Sequence, residues 1–163
     1  MLRSVIAALP PRRTLDVACG TGFLTRHLRG DVTGLDQSGA MVAIARRQAR
    51  GARLIRGDAL ALPFADASFD RVFASYFYCH LEEWERVRFL AEARRVAPEL
   101  VLVGTPLRDR FPAAEWQERV LKDGSRWTVF KRLFDPEAFV AELGGGELLH
   151  VGHYFLVVRS PAP

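Results

Sequence analysis

Apolar residues along the chain alternate between two rhythms. Short apolar runs at residues 15–18, 31–36, 52–56, 69–75 and 99–104 read as strands, and the last, ELVLVG, is a continuous run of the kind buried on both faces. Between them the spacing turns helical. Leu2, Val5, Ile6 and Leu9 share one face of a short N-terminal helix, and Phe23, Leu24 and Leu28 predict a second helix over 23–29. Ser38 suits the cap of a third, with Met41, Ile44 and Ala45 inward and Arg46, Arg47 and Arg50 solvated. Residues 82–97 carry acids early and Arg94-Arg95 late, in keeping with the helix dipole, and Pro98 stops them. Asp135-Pro136 opens a further helix with Phe139, Val140 and Leu143 on one face, which Gly144-Gly145-Gly146 ends. Two strands, 147–151 and 154–159, then flank a tight turn at Gly152-His153. Residues 105–127 are different in character: polar, aromatic and basic, with a helix expected over 113–121. Strands alternating with helices predict an α/β domain with a mostly parallel sheet, helices on both faces and a C-terminal antiparallel hairpin.

The chemistry concentrates where the first strand ends. Cys19-Gly20-Thr21-Gly22 is a glycine turn between a strand and an expected helix. Such a turn opens backbone angles closed to other residues and removes the Cβ atoms that keep a ligand off the main chain. A helix N-terminus behind it would offer free N–H groups to a negative group. Dinucleotide sites use G-x-G-x-x-G or A; here Gly20 and Gly22 fit, but the last position is Thr25. The longer string LDVACGTGFLT closely resembles motif I of class I S-adenosylmethionine (SAM) dependent methyltransferases, written LD-x-GCGTG, with Ala18 where that family commonly has glycine.

Asp36 ends the second strand, where a carboxylate can accept from both hydroxyls of a ribose; this points to a nucleotide-type cofactor without choosing one. A helix-cap role is the plainer alternative. GDALALPFADASFDRVFAS resembles the type 11 group of small-molecule methyltransferases, which read GDAEXLPFXDXSFDXV. The resemblance runs from about residue 2 to 159. It implies a Rossmann-like seven-stranded methyltransferase sheet, SAM as cofactor and a small-molecule methyl acceptor. It also implies that Asp16, Ala18, Cys19, Gly20, Thr21, Gly22, Asp36, Gln37, Asp58, Ala59 and Ser75 line the cofactor site. Asp58 would accept from the adenine amine, the Ser75 carbonyl would lie near the methionine amine, and Asp16 would reach that amine directly or through water. Leu62-Pro63-Phe64 and Phe69-Asp70 would be structural, with Asp70 bonding backbone rather than ligand. Tyr76 to His80 falls where acceptors meet the methyl group. His80 is a candidate general base and Tyr76 a candidate catalytic residue, while Tyr76 and Tyr78 are both candidate pocket walls; packing at the start of the next helix is the competing role for His80.

The chain has 163 residues, 49% hydrophobic and 26% charged, which fits one soluble domain; residues 105–127 are a candidate lid. The formal charge is +4, with arginines scattered rather than clustered, so nucleic acid is not the expected partner. The apolar run after Met1 is broken by Pro10-Pro11 and is no convincing signal peptide, and no run is long enough to span a bilayer. A cytoplasmic protein is expected. Cys19 and Cys79 are the only cysteines and read as free thiols, and His150 and His153, tied to a short turn without acids, are poor metal ligands. Two other functions compete: a dinucleotide-dependent oxidoreductase, disfavoured by Thr25 and the Asp58 loop, and a SAM-binding domain acting as a partner without its own catalysis. The face beyond residues 76–80 needs a cover from the N-terminal helix, the 105–127 insert or a second subunit of a homodimer.

Overall fold

The protein's structure, a computed structural model, describes residues 1–161. Among the described residues nine strands are formed: β1 (Thr14–Val17), β2 (Val32–Asp36), β3 (Arg53–Arg56), β4 (Arg71–Ser75), β5 (Glu99–Gly104), β6 (Ala114–Val120), β7 (Arg126–Arg132), β8 (Glu147–Val151) and β9 (Leu156–Ser160). Seven make one sheet in the order β3-β2-β1-β4-β5-β9-β8, while β6 and β7 pair only with each other. The first five strands run parallel. β9 enters antiparallel between β5 and β8. The strand order reverses at β1, so the C-terminal ends of β1 and β4 flank the crevice where open parallel sheets bind ligands.

Among the described residues four helices cover this sheet: α1 (Leu2–Ala8), α2 (Gly39–Gln48), α3 (Glu83–Val96) and α4 (Pro136–Glu142). The two-residue period of β5 sends Leu100 and Leu102 into a core with Phe89, Ala93 and Val96 of α3 and Phe139 of α4. Val101 and Val103 face the other way, into a core with Ile6 of α1 and Leu9. Phe134 and Phe139 stack at 4.2 Å between ring centroids, and a Cβ on Gly104 would stand 2.9 Å from Phe134. That glycine lets the aromatic layer reach the end of β5. Among the described residues no helix is long and apolar enough to cross a membrane.

Several arginines have structural partners, which accounts for part of the basic composition. Arg95 donates to the carbonyls of Leu62 (3.0 Å) and Phe64 (2.7 Å), and Glu92 accepts from the Leu62 amide at 2.8 Å. The Leu62-Pro63-Phe64 loop is thereby clamped to α3, with Phe64 edge-on to Phe69 at 4.9 Å. Asp70 accepts from the Arg13 amide at 2.9 Å and pairs with its guanidinium at 2.7 Å. Arg71, 1% exposed, pairs with Glu99 and donates to the Pro10 carbonyl at 3.1 Å.

Three sequence expectations are corrected. Residues 113–121 are not helical: β6 is a strand whose partner β7 lies just beyond the tight turn at Asp123-Gly124, where Gly124 takes φ +83° and Asp123 accepts from the Ser125 amide at 3.0 Å. Residues 23–29 form only a 3-10 turn at Thr25–His27. The chain must bend early, because Gly30 packs directly on the Arg12 backbone so that the Asp31 carbonyl can accept from Thr14 N at 2.8 Å. In α2 the buried side chains are Val42 and Ala45, with Met41 exposed. Ser38 accepts from Met41 N at 3.3 Å, which sets that phase.

Candidate functional site

The turn after β1 has three left-handed residues at alternate positions: Ala18 (φ 56°), Gly20 (φ 55°) and Gly22 (φ 76°). The Cys19 amide donates to the Leu35 carbonyl and the Gly22 amide to the Cys19 carbonyl, each at 3.0 Å, which tie the turn to β2 and close it. Its two glycines serve different ends. A Cβ on Gly22 would sit 3.1 Å from the Ala45 Cα, so that glycine lets α2 pack close. A Cβ on Gly20 would meet no protein atom within 4 Å, so this residue faces open space. Thr21 lies half-buried between them. The three-residue 3-10 turn that follows is too short to supply the helix N-terminus the sequence suggested, so the positive end of a helix dipole is not part of this site.

Asp36 is the hub of the site. Its Oδ2 accepts from the Gly20 amide at 2.9 Å and its Oδ1 from the Ser38 amide at 2.8 Å, so the carboxylate is fixed in orientation while each oxygen keeps a further lone pair. Beside it opens a cleft of about 180 Å³. Of the residues that the sequence assigned to a cofactor site, Ala18, Asp36, Gln37, Asp58 and Ala59 line this cleft. Leu60, Phe77, Leu81 and Glu85 complete its walls and were not singled out by sequence. Phe77 is held edge-on to Phe89 of α3 at 5.4 Å, a placement that no local spacing announces. Asp58 accepts from the Leu60 amide at 2.8 Å, which curls the loop after β3 around the cleft.

Asp16 lies under the turn, 2% exposed, and accepts from the Thr25 hydroxyl at 2.6 Å. Burial pushes its pKa up to about 7; the Thr25 bond opposes the rise and the Asp36 charge adds to it. Burial, with the charges of Asp16 and Asp36, lifts the Cys19 thiol to about 12, so Cys19 remains an unreactive thiol. Cys19 and Cys79 are both free.

At the end of β4, Ser75 Oγ is buried without a hydrogen-bond partner among the described residues. Tyr76 follows with φ 53°, a conformation that is unusual for an aromatic residue and that clusters at functional sites. His80 ends a 3-10 turn at Tyr78–His80, where its Nδ1 is 2.7 Å from the Phe130 carbonyl. A carbonyl only accepts, so Nδ1 carries the proton and Nε2 keeps its lone pair. Burial lowers the His80 pKa, which leaves the ring neutral near pH 7. Tyr78 departs from expectation. It is 1% exposed, donates to Glu142 at 2.7 Å and stacks on Phe134 and Phe139, so it belongs to the core rather than to a substrate wall.

A family profile described as "Methyltransferase domain" matches residues 15–99, more than half of the chain. The chain belongs to this methyltransferase-domain family. Within it, the chain is similar to phthiotriol/phenolphthiotriol dimycocerosates methyltransferase 1 of Mycobacterium ulcerans, 41% identical over 120 residues, covering 67% of this chain and 42% of that protein. It is also 41% identical over 95 residues to demethylmenaquinone methyltransferase of Thermus thermophilus, covering 53% of this chain and 42% of the other. The chain thus spans about two-fifths of the length of these curated relatives. Among solved structures, a DhpI–SAH complex superposes with a TM-score of 0.73 at 26% identity, over 92% of this chain and 76% of that one. The seven-stranded sheet is that of the family, as the type 11 resemblance implied.

Proposed function

We propose that this chain binds SAM in the Asp36–Asp58 cleft and transfers its methyl group to a small-molecule acceptor. The observation that carries the reading is the Asp36 carboxylate, doubly held by the Gly20 and Ser38 amides, which lines the cleft with Asp58 while Gly20 itself faces open space. A ribose with two adjacent hydroxyls fits there, since both carboxylate oxygens keep acceptor capacity. The unpartnered Ser75 Oγ and the buried Asp16, poised to ionise near neutrality, suit an amino-acid tail that carries an ammonium group. Asp58 and Ala59 remain for a base, against the apolar walls of Leu60 and Phe77. The names of the relatives, methyltransferases of phthiotriol and demethylmenaquinone, support a small-molecule acceptor.

When bound, SAM supplies the electrophilic methyl, so the protein's share of the work is alignment and exclusion of water. Gly20, Asp36 and Asp58 bind and orient. Tyr76 and His80 lie just past β4 on the side an acceptor would approach. His80 Nε2, neutral and unprotonated, is the acceptor for any proton the nucleophile must lose. The β6–β7 hairpin, tied to His80 through the Phe130 carbonyl, is the cover.

Incubation with methyl-labelled SAM and a library of small hydroxy, amino and thiol compounds tests the reading. Label appearing in a library compound supports it. SAM binding without transfer to any compound would favour a SAM-binding partner domain, and no SAM binding contradicts the reading outright.

A further inference from the structure

One face of the β6–β7 hairpin walls a second cleft, of about 140 Å³, apart from the Asp36 site. Glu115, Gln117 and Arg119 alternate along β6 and so share this face, with Lys131 directly opposite Glu115. At the bottom is Thr105, the residue after β5, whose hydroxyl oxygen is 3.3 Å from Lys131 Nζ. Arg108, Phe111 and Leu133 close the sides.

The charges on the hairpin are sorted. Arg126 pairs with Glu118, and Arg132 with Glu142 at 2.9 Å. The three cations lining the cleft, Arg108, Arg119 and Lys131, have no ion pair among the described residues. The one acid in the lining, Glu115, takes a hydrogen bond from the Gln117 amide, whose oxygen in turn accepts from Arg119. Arg108 Nε is buried with no hydrogen-bond partner among the described residues, and its guanidinium leans over the Tyr154 ring at 5.7 Å. Three cations converging on one cleft repel one another, and a buried guanidinium N–H without an acceptor is unfavourable. An oxyanion relieves both, through charge-assisted hydrogen bonds.

The cleft adjoins the proposed transfer site. Phe130, whose carbonyl holds His80, immediately precedes Lys131. Burial lowers the His80 pKa and the Phe130 bond opposes this, while the charges of Lys131 and Arg119 lower it further, so the positive field of the cleft reaches that ring. Thr105 follows the strand whose Val103 carbonyl accepts from the Tyr76 amide at 3.0 Å.

We propose that this second cleft is the acceptor site, and that it selects a small acceptor bearing an oxyanion, held by Arg108, Arg119 and Lys131, with an apolar body against Phe111 and Leu133. Its role as acceptor site rests on the methyl-transfer reading; the oxyanion site does not.

The test is calorimetric titration of phenyl phosphate, and of phenol as the same ring without the anion, into the protein with and without saturating S-adenosylhomocysteine. Phenyl phosphate is expected to bind at a single site at least about tenfold more tightly than phenol, as hydrogen bonds to charged groups imply. Arg119→Gln and Lys131→Gln should each weaken phenyl phosphate by about fivefold or more while S-adenosylhomocysteine affinity is retained, which also reports that the variants are folded. Arg126→Gln, on the opposite face, should change neither. Equal affinity for phenol and phenyl phosphate, unchanged phenyl phosphate affinity in both cleft variants, or an equal loss in Arg126→Gln overturns the proposal. Phenyl phosphate binding without any S-adenosylhomocysteine binding upholds the oxyanion site and overturns the methyl-transfer reading.

Discussion

The Thr25 hydroxyl donates to the Asp16 carboxylate at 2.6 Å, and both residues are sealed beneath the glycine turn. Thr25 stands where a dinucleotide site has its third small residue, so a position used elsewhere for close packing here holds an acid in place. Burial raises the Asp16 pKa to about 7, against the Thr25 bond. With the folded pKa above the unfolded one, the folded state binds more protons between about pH 4 and pH 7. The Asp16 contribution to stability is therefore full below about pH 4 and is lost as pH rises toward 7. Urea titrations across this range should show a shallower pH slope in Asp16→Asn. A cation settling beside Asp16 favours the carboxylate, so SAM binding near pH 7 should release protons in the native chain and fewer in Asp16→Asn, read from calorimetry in buffers of different ionisation enthalpy.

The left-handed residues of the turn separate fold from ligand. Gly22→Ala combines a backbone clash against Ala45 with strain at φ 76° and should lose about 2–3 kcal/mol of stability. Gly20→Ala meets no protein atom, so only the backbone term remains, about 1 kcal/mol, with a disproportionate loss of cofactor affinity. Ala18→Gly relieves φ 56° and should gain about 0.5 kcal/mol, net of the added freedom of the unfolded chain. Denaturant midpoints paired with SAM titrations check all three.

Arg71 and Glu99 lie at the opposite end of the sheet from the cleft, in the first register pair of β4 and β5. Arg71→Ala leaves Glu99 without its partner and the Pro10 carbonyl without a donor. Glu99 is 20% exposed and can take up water, so the loss is that of a charged hydrogen-bond partner, about 1.5–3 kcal/mol. Chemical denaturation should show that loss, with SAM affinity retained wherever the variant is folded.

The β6–β7 hairpin belongs to no larger sheet, and most of its side chains are exposed. Such segments open more readily than a sheet interior. Amides of residues 105–127 should exchange faster than those of Val101 and Val103 in the free protein, and slow when cofactor and acceptor bind together. His80→Ala removes the donor to the Phe130 carbonyl and should speed exchange in β7 without affecting β5. Protection equal to that of β5 in the free protein would make the hairpin part of the core rather than a lid.

The parallel sheet was legible because its signals are local: apolar runs, the Ser38 and Asp135 caps, Pro98 and the Gly144–Gly146 stop. Both caps bond as their residue types suggest, Ser38 to Met41 N and Asp135 to Ala138 N. The hairpin's signal is present in the sequence, since Asp123-Gly124 between two alternating segments marks a two-stranded turn. Arginine and glutamate suit helices as well as exposed strands, so the composition of residues 113–121 points to a helix as readily as to β6. The short turn at Thr25–His27 follows from the contact of Gly30 with Arg12, which is distant in sequence. The same holds for the cleft: Asp36 ends β2 and Asp58 lies in the loop just after β3, both visible in the sequence, whereas Phe77, Leu81 and Glu85 reach it only through the packing of α3.

The most direct measurement is calorimetric titration of SAM into the native chain and into Asp36→Ala, side by side. The native chain should saturate with SAM at a single site and not with NAD. Asp36→Ala removes a charged acceptor, worth about 1.5–3 kcal/mol for each hydrogen bond it makes, and should bind SAM at least about tenfold more weakly while keeping its circular dichroism spectrum. A native chain that binds NAD in place of SAM, or an Asp36→Ala variant that binds SAM as tightly as the native chain, would contradict the account.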